Sequence, residues 1–216
     1  MSDEALRQHI IDELDFEPSI DTAHIGVLVE NGVVTLSGHV PSYWQKAAVE
    51  HAVWRVRGVK AIAEEIEVVF PEDKKRSDNQ IAERAVKLLE WDVMVPHHLL
   101  RVKVQHGIVT LEGEVPWQFE RRAAEEDVRK LTGVVAVINS IIVKPEIQPK
   151  NVRQRIEDAL IRCAEIQAGQ IRIDVRENGL VVLEGKVDSW EELQAVERAA
   201  WSAPGVSMVE DRITIN

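Results

Sequence analysis

Val27-Leu-Val-Glu-Asn-Gly-Val-Val-Thr-Leu-Ser-Gly-His-Val40 decides the fold. Val27 and Val29 alternate with other residues, Asn31-Gly32 interrupts them, and Val34 and Leu36 resume the alternation. Asn-Gly between two alternating apolar runs is the strongest short signal for a two-residue hairpin, because both residues accept positive φ. The stretch is written twice more, as Val102 to Val115 around His106-Gly107 and as Val175 to Val187 around Asn178-Gly179. In the third copy one extra residue separates the last inward valine from the turn, which predicts a bulge or a longer loop there. Gly38, Gly113 and Gly185 close the three copies, 75 and 72 residues apart, and each is followed 20 residues on by Gly58, Gly133 or Gly205. A fixed period of this size marks a repeated structural unit.

Outward from the hairpin, each copy predicts the same order of elements. A helix precedes it, with Leu6, Ile10 and Leu14 on one face, then Ile81, Ala85, Leu88 and Leu89, then Val152, Ile156, Leu160 and Cys163. After the hairpin, the Gly38, Gly113 and Gly185 positions are expected to end the second strand. Pro41, Pro116 or Asp188 then opens a second helix, whose small core residues include Ala48 and Val49, Ala123 and Ala124, and Ala195 and Val196. Gly58, Gly133 and Gly205 are expected at C′ of that helix. A third strand closes each unit. The fold class is therefore α+β: three tandem α-β-β-α-β units, each a small three-stranded mixed sheet with two helices on one face. The units are expected at residues 1–73, 74–147 and 148–216, with Pro- and charge-rich linkers at Pro71 to Arg76 and Pro145 to Pro149.

The chain has 216 residues, 45% apolar and 29% charged, an ordinary composition for a globular protein. It holds no run of about 18 apolar residues, so no transmembrane segment is expected. The charged N-terminus shows no secretory pattern and Cys163 is the lone cysteine; together they predict a cytoplasmic, reducing address. The net charge of −11 is uneven: 5 basic and 14 acidic residues in unit one, 12 and 11 in unit two, 9 and 12 in unit three. So acidic a chain is a poor general binder of nucleic acid, and only unit two can offer a basic face.

The sequence shows no nucleophile triad and no phosphate-binding loop, so no catalytic residue is expected. The adjacent His97 and His98 diverge on either a strand or a helix, so no metal site is expected from them. Neighbouring carboxylates at Glu64-Glu65 also face apart. The nine repeated glycines (Gly32, Gly38, Gly58, Gly107, Gly113, Gly133, Gly179, Gly185 and Gly205) read as backbone devices. Trp54 and Trp201 share one position in the second helix, where unit two carries Arg129. Trp44, Trp117, Phe119 and Trp190 fall at the helix starts. Trp favours half-wet sites. In unit two, Trp117 and Phe119 stand beside Arg121 and Arg122, with Lys74, Lys75 and Arg76 near the preceding helix. Those seven residues are the candidate anion, lipid or partner surface.

The unit resembles the BON domain, the bacterial module of osmotically inducible and nodulation proteins. The resemblance rests on Val27 to Val40 with Gly58-Val59, and on the matching stretches ending in Gly133-Val134 and Gly205-Val206. It implies a non-enzymatic binding module of osmotic or envelope stress, with a phospholipid or protein partner and no cofactor. The alternative that it implies is a cytoplasmic potassium sensor, the ion held by loop carbonyl oxygens.

Overall fold

A computed structural model describes residues 2–71, 76–145, 151–162 and 171–215. Cys163, Lys74 and Lys75 lie outside the described residues. The first repeat runs α1 (Asp3–Phe16), β1 (Ile25–Glu30), β2 (Val33–Val40), α2 (Tyr43–Trp54) and β3 (Ala61–Val68). The second runs α3 (Asp78–Trp91), β4 (Leu100–Gln105), β5 (Ile108–Val115), α4 (Gln118–Arg129) and β6 (Ala136–Val143). The third runs α5 (Val152–Arg162), β7 (Ile171–Val175), β8 (Leu180–Val187), α6 (Trp190–Trp201) and β9 (Met208–Ile215). Each repeat makes its own mixed three-stranded sheet with the hairpin's second strand in the centre, in the orders β1-β2-β3, β4-β5-β6 and β7-β8-β9. β1 pairs antiparallel with β2, which pairs parallel with β3 across the α2 crossover; β7, β8 and β9 repeat the pattern.

One sheet face is covered by both helices. In the first repeat Leu6, Ile10 and Leu14 of α1 and Val49, Ala52 and Val53 of α2 share a core with Val34, Leu36, Val40 and Ile66. In the third, Ile156 and Leu160 meet Val181, Leu183, Val196 and Ala200. The second repeat buries Ile81, Ala85, Leu89, Val109, Leu111, Ala124 and Val128.

The start of the first helix is tied to the hairpin by one aspartate. Ser2 is the N-cap of α1, its hydroxyl accepting the Ala5 N–H. Asp3 is thereby left to accept the N–H groups of Asn31 (2.7 Å) and Gly32 (3.1 Å) at the turn. Asp78 does the same for His106 and Gly107, and those two bonds hold its carboxyl below the ordinary aspartate value.

Three local expectations are revised. Gly38 does not end its strand: β2 continues to Val40 and keeps pairing on both sides of Gly38. The second helix begins at Tyr43, capped by Ser42, two residues later than Pro41. It also ends at Trp54, so Gly58 is not C′. Gly58 is instead the third residue of a separate turn closed by Val59 N–H donating to the Val56 carbonyl, with φ +101°. Gly133 and Gly205 repeat this turn. Its use becomes clear from the hairpin: a Cβ on Gly107 would lie 2.8 Å from the Gly133 oxygen, and one on Gly179 2.0 Å from the Gly205 oxygen. The two glycines that mark each repeat are packed backbone to backbone. The longer third hairpin expected from the sequence is present as a one-turn 3-10 segment, Glu177–Gly179, with Asn178 left-handed.

Candidate interaction surface on the middle repeat

The crossover puts the α3–β4 loop and the β5–α4 junction at the same end of the middle repeat. Their proximity is direct: a Cβ on Gly113 would sit 2.3 Å from the Leu99 carbonyl oxygen. This end is unusually apolar. Trp117 and Phe119 stack with ring centroids 6.4 Å apart, and 38% and 48% of their surfaces are exposed. Leu99 is exposed at the end of the α3–β4 loop, and Val93 and Met94 project from that loop, Val93 at 98% exposure. Trp91, the last residue of α3, is exposed as well. The tip is held by Asp92, whose side chain accepts the Met94 N–H at 2.7 Å, and is anchored by buried Val95.

Trp117 occupies a position that a helix would normally give to a capping residue. In the other repeats Ser42 and Ser189 stand there, each accepting the N–H three residues on at 3.2 Å. Indole has no acceptor. The α4 start keeps the reverse bond alone of that pair, Trp117 N–H donating to Glu120 Oε2 at 3.0 Å. Replacing a Ser cap costs about 1 kcal/mol. Local rules of this kind are broken mainly where a side chain serves something other than the fold.

Five of the seven candidate residues, Arg76, Trp117, Phe119, Arg121 and Arg122, are described. Arg121 Nη2 donates to the Asn139 carbonyl (3.4 Å) while Asn139 Nδ2 donates back to the Arg121 carbonyl (3.0 Å), so Arg121 is turned to the β6 edge. Arg122 is exposed on α4, three residues after Phe119. Arg76 lies against Gly133, where a Cβ would come within 2.9 Å of its own Cβ. Trp117, Phe119 and Arg122 all belong to the β5–α4 junction and the start of α4. The exposed loop residues Val93 and Met94 add to the apolar surface and were missed from the sequence. Their signal was a run of large apolar residues past the α3 stripe, in a loop with no periodicity to bury them. Trp54 and Trp201 pack against their repeats' cores.

The BON domain model matches residues 2–69, 77–145 and 150–216. The chain belongs to the BON-domain family. Its three BON repeats account for nearly all of its length. A relative, osmotically-inducible protein Y of Escherichia coli (strain K12), is 29% identical over 152 residues, covering 67% of this chain and 74% of the relative. That relative lends no support to the cytoplasmic address expected from the N-terminal residues. Among solved structures, the C-terminal domain of CdsD, a structural protein of the type III secretion system of Chlamydia trachomatis, aligns over the whole of both chains at 14% identity. Its TM-score is 0.27, and nothing about function follows from it. Among the described residues of the BON repeats, no helix is long and apolar enough to cross a membrane.

Proposed function

We propose that this chain is a non-enzymatic binding protein of the osmotic or envelope stress response, and that the middle BON repeat makes the contact, with a phospholipid surface as its partner. Family membership and the likeness to osmotically-inducible protein Y support the stress role. The observation that carries the contact is the exposed Trp117–Phe119 stack at the α4 start of the middle repeat, with Val93 and Met94 exposed on the α3–β4 loop, whose end at Leu99 meets Gly113. Exposed clusters of large apolar residues mark interaction sites, and Trp is favoured where one side is apolar and the other wet. Electrostatics assist locally. The middle repeat carries 12 basic and 11 acidic residues, and screening at physiological salt, about 8 Å, keeps the acidic first repeat from cancelling Arg122. Lys74, Lys75 and Arg76 would add a longer-range attraction for anionic headgroups.

Flotation of the full chain with phosphatidylglycerol vesicles tests this. Val93→Asp and Trp117→Ser are expected to weaken binding at low and high salt, because the apolar contact is not screened. Arg122→Glu should weaken it at low salt only. A full chain that does not float, or three variants that float like the parent, would remove the lipid surface as the partner. The alternative potassium reading is supported by no observation among the described residues; thermal shift in K+ against Na+ separates it from this one.

A further inference from the structure

The first repeat brings two imidazoles face to face where the second does not. His24 ends a 3-10 turn leading into β1, and His39 follows Gly38 on β2. Ile25 pairs with Gly38, so one further step of the antiparallel ladder sets His24 directly opposite His39. Their rings are stacked, 4.5 Å between centroids and 16° between planes. With Asp21 and Phe70 they line a surface cavity of about 320 Å³. The corresponding residues of the second repeat are Leu99 and Glu114, and Glu114 there pairs with Lys144 at 3.0 Å.

We propose that His24 and His39 chelate a late first-row divalent cation, such as Zn²⁺, Ni²⁺ or Cu²⁺. Directly opposed residues of an antiparallel pair have Cβ atoms about 4.5–5.5 Å apart, which lets two imidazoles reach one ion through bonds of about 2.0–2.1 Å. Nearly parallel planes do not converge on a common point, so the stack is the closed form of the site. Each ring opens it by turning about χ2, a broad torsion, towards the cavity. The β2–β3 pairing holds His39, and the Ile25–Gly38 pair fixes the chain next to His24, so no backbone rearrangement is required. Imidazole suits Zn, Ni and Cu, whereas Mg²⁺ prefers oxygen donors, and this sets the class of ion. Asp21 in the cavity, and Glu67 beside His39 in the β2–β3 register, add negative charge around the ion. Among the described residues no group of three or more His, Cys, Asp or Glu converges on one point. Among the described residues the two imidazoles are thus the protein's share of the coordination, and water supplies the rest. His97 and His98, consecutive and crossed at 86°, serve as the internal control.

The test is calorimetric titration of the untagged full chain with Ni²⁺ and with Zn²⁺, with Mg²⁺ as comparison. One saturable site is expected for the first two and none for Mg²⁺. His24 and His39 are both exposed, so His24→Gln and His39→Gln should leave the circular dichroism spectrum unchanged. Each should weaken the site about tenfold or more, the scale on which losing support for a ligand acts. The double variant His97→Gln/His98→Gln should bind like the parent. Absence of binding, parental affinity in the two single variants, or a loss that follows His97 and His98 would overturn the proposal.

Discussion

Replacing Gly38 by Ala should damage the first repeat far more than replacing Gly32 by Ala, although both glycines have positive φ. Gly32 has φ +82°, and a Cβ there would meet the Lys60 side chain at 3.1 Å and the Gly58 oxygen at 3.2 Å. A flexible lysine can withdraw by a few tenths of an ångström. The cost is then the left-handed penalty of an L residue, about 1–2 kcal/mol. Gly38 has φ +116°, well beyond the left-handed well near +57°, where an L residue has no minimum. Its Cβ would lie 1.9 Å from the His24 carbonyl oxygen, and Ile25 and Ile66 pair with Gly38 on either side. Strain of about 1–3 kcal/mol adds to overpacking of about 1–3 kcal/mol, roughly 2–6 kcal/mol in all, and a 1.9 Å approach to backbone puts the sum in the upper half of that range. Hydrogen exchange of β1 and β2 peptides in the full chain reads the opening free energy of this repeat alone. At 1.4 kcal/mol per factor of ten, protection should fall about tenfold in Gly32→Ala and at least about a hundredfold in Gly38→Ala. Equal losses in the two variants would refute the reasoning, because they would mean that the β1–β2 crossing is not closed around Gly38.

Leu111 is fully buried, and Leu111→Ala should destabilise the middle repeat by about 2–5 kcal/mol, read from exchange of its β5 peptide; a change under about 1 kcal/mol would contradict the burial. Burial raises the Glu197 carboxyl above an ordinary glutamate's 4.5, and the nearby Asp211 charge raises it further. Between that ordinary value and the raised one the folded state holds the extra proton, so stability falls as pH rises through this window, and the loss persists at neutral pH. Glu197→Gln should therefore raise the stability of the third repeat at pH 7 and leave it unchanged at pH 4; the reverse order would show that the carboxylate is held by a favourable partner.

Much of the fold was legible because its signals are local. The period, the Asn-Gly turn and the helical stripes each depend on residues close in sequence, and Leu6, Ile10, Val34 and Leu36 meet as their spacing predicts. What escaped depends on crossings. Gly38 reads as a strand end because glycine usually stops a strand, whereas here it lets the His24 carbonyl pass. Gly58 reads as a helix cap because the residues before it are helical in pattern, but α2 stops at Trp54 and the glycine serves a later turn that presses on the hairpin. The candidate surface was half legible for the same reason. Trp117 and Phe119 are neighbours in sequence and remain so in space. Arg76 stands next to Ser77 at the α3 start, and its packing against Gly133 could not be read from its place in the chain. Val93 and Met94 could be seen in the sequence, but that their loop ends against Gly113 requires the fold.

The repeats also show how one backbone problem is solved with different side chains. The third strand of each sheet is an edge, and exposed edges invite pairing with other chains. In each repeat the side chain at one position folds forward to accept the N–H two residues on: Glu64 from Ile66 at 3.0 Å, Asn139 from Ile141 at 3.2 Å, Asp211 from Ile213 at 2.8 Å. The second helix supplies the complement. Lys46 donates to the Ile66 carbonyl and pairs with Glu64, and Arg121 donates to the Asn139 carbonyl. In the third repeat the position of Lys46 and Arg121 is filled by buried Leu193. Asp211 still caps its N–H there, with Leu193 where the other helices present a cation, and its charge acts instead on Glu197. Burial is the first cause of the raised Glu197 carboxyl, and the Asp211 charge adds to it at a slot where the other two repeats present a cation. Arg121, a candidate for the ligand surface, makes its contact with the β6 edge in the same slot as Lys46.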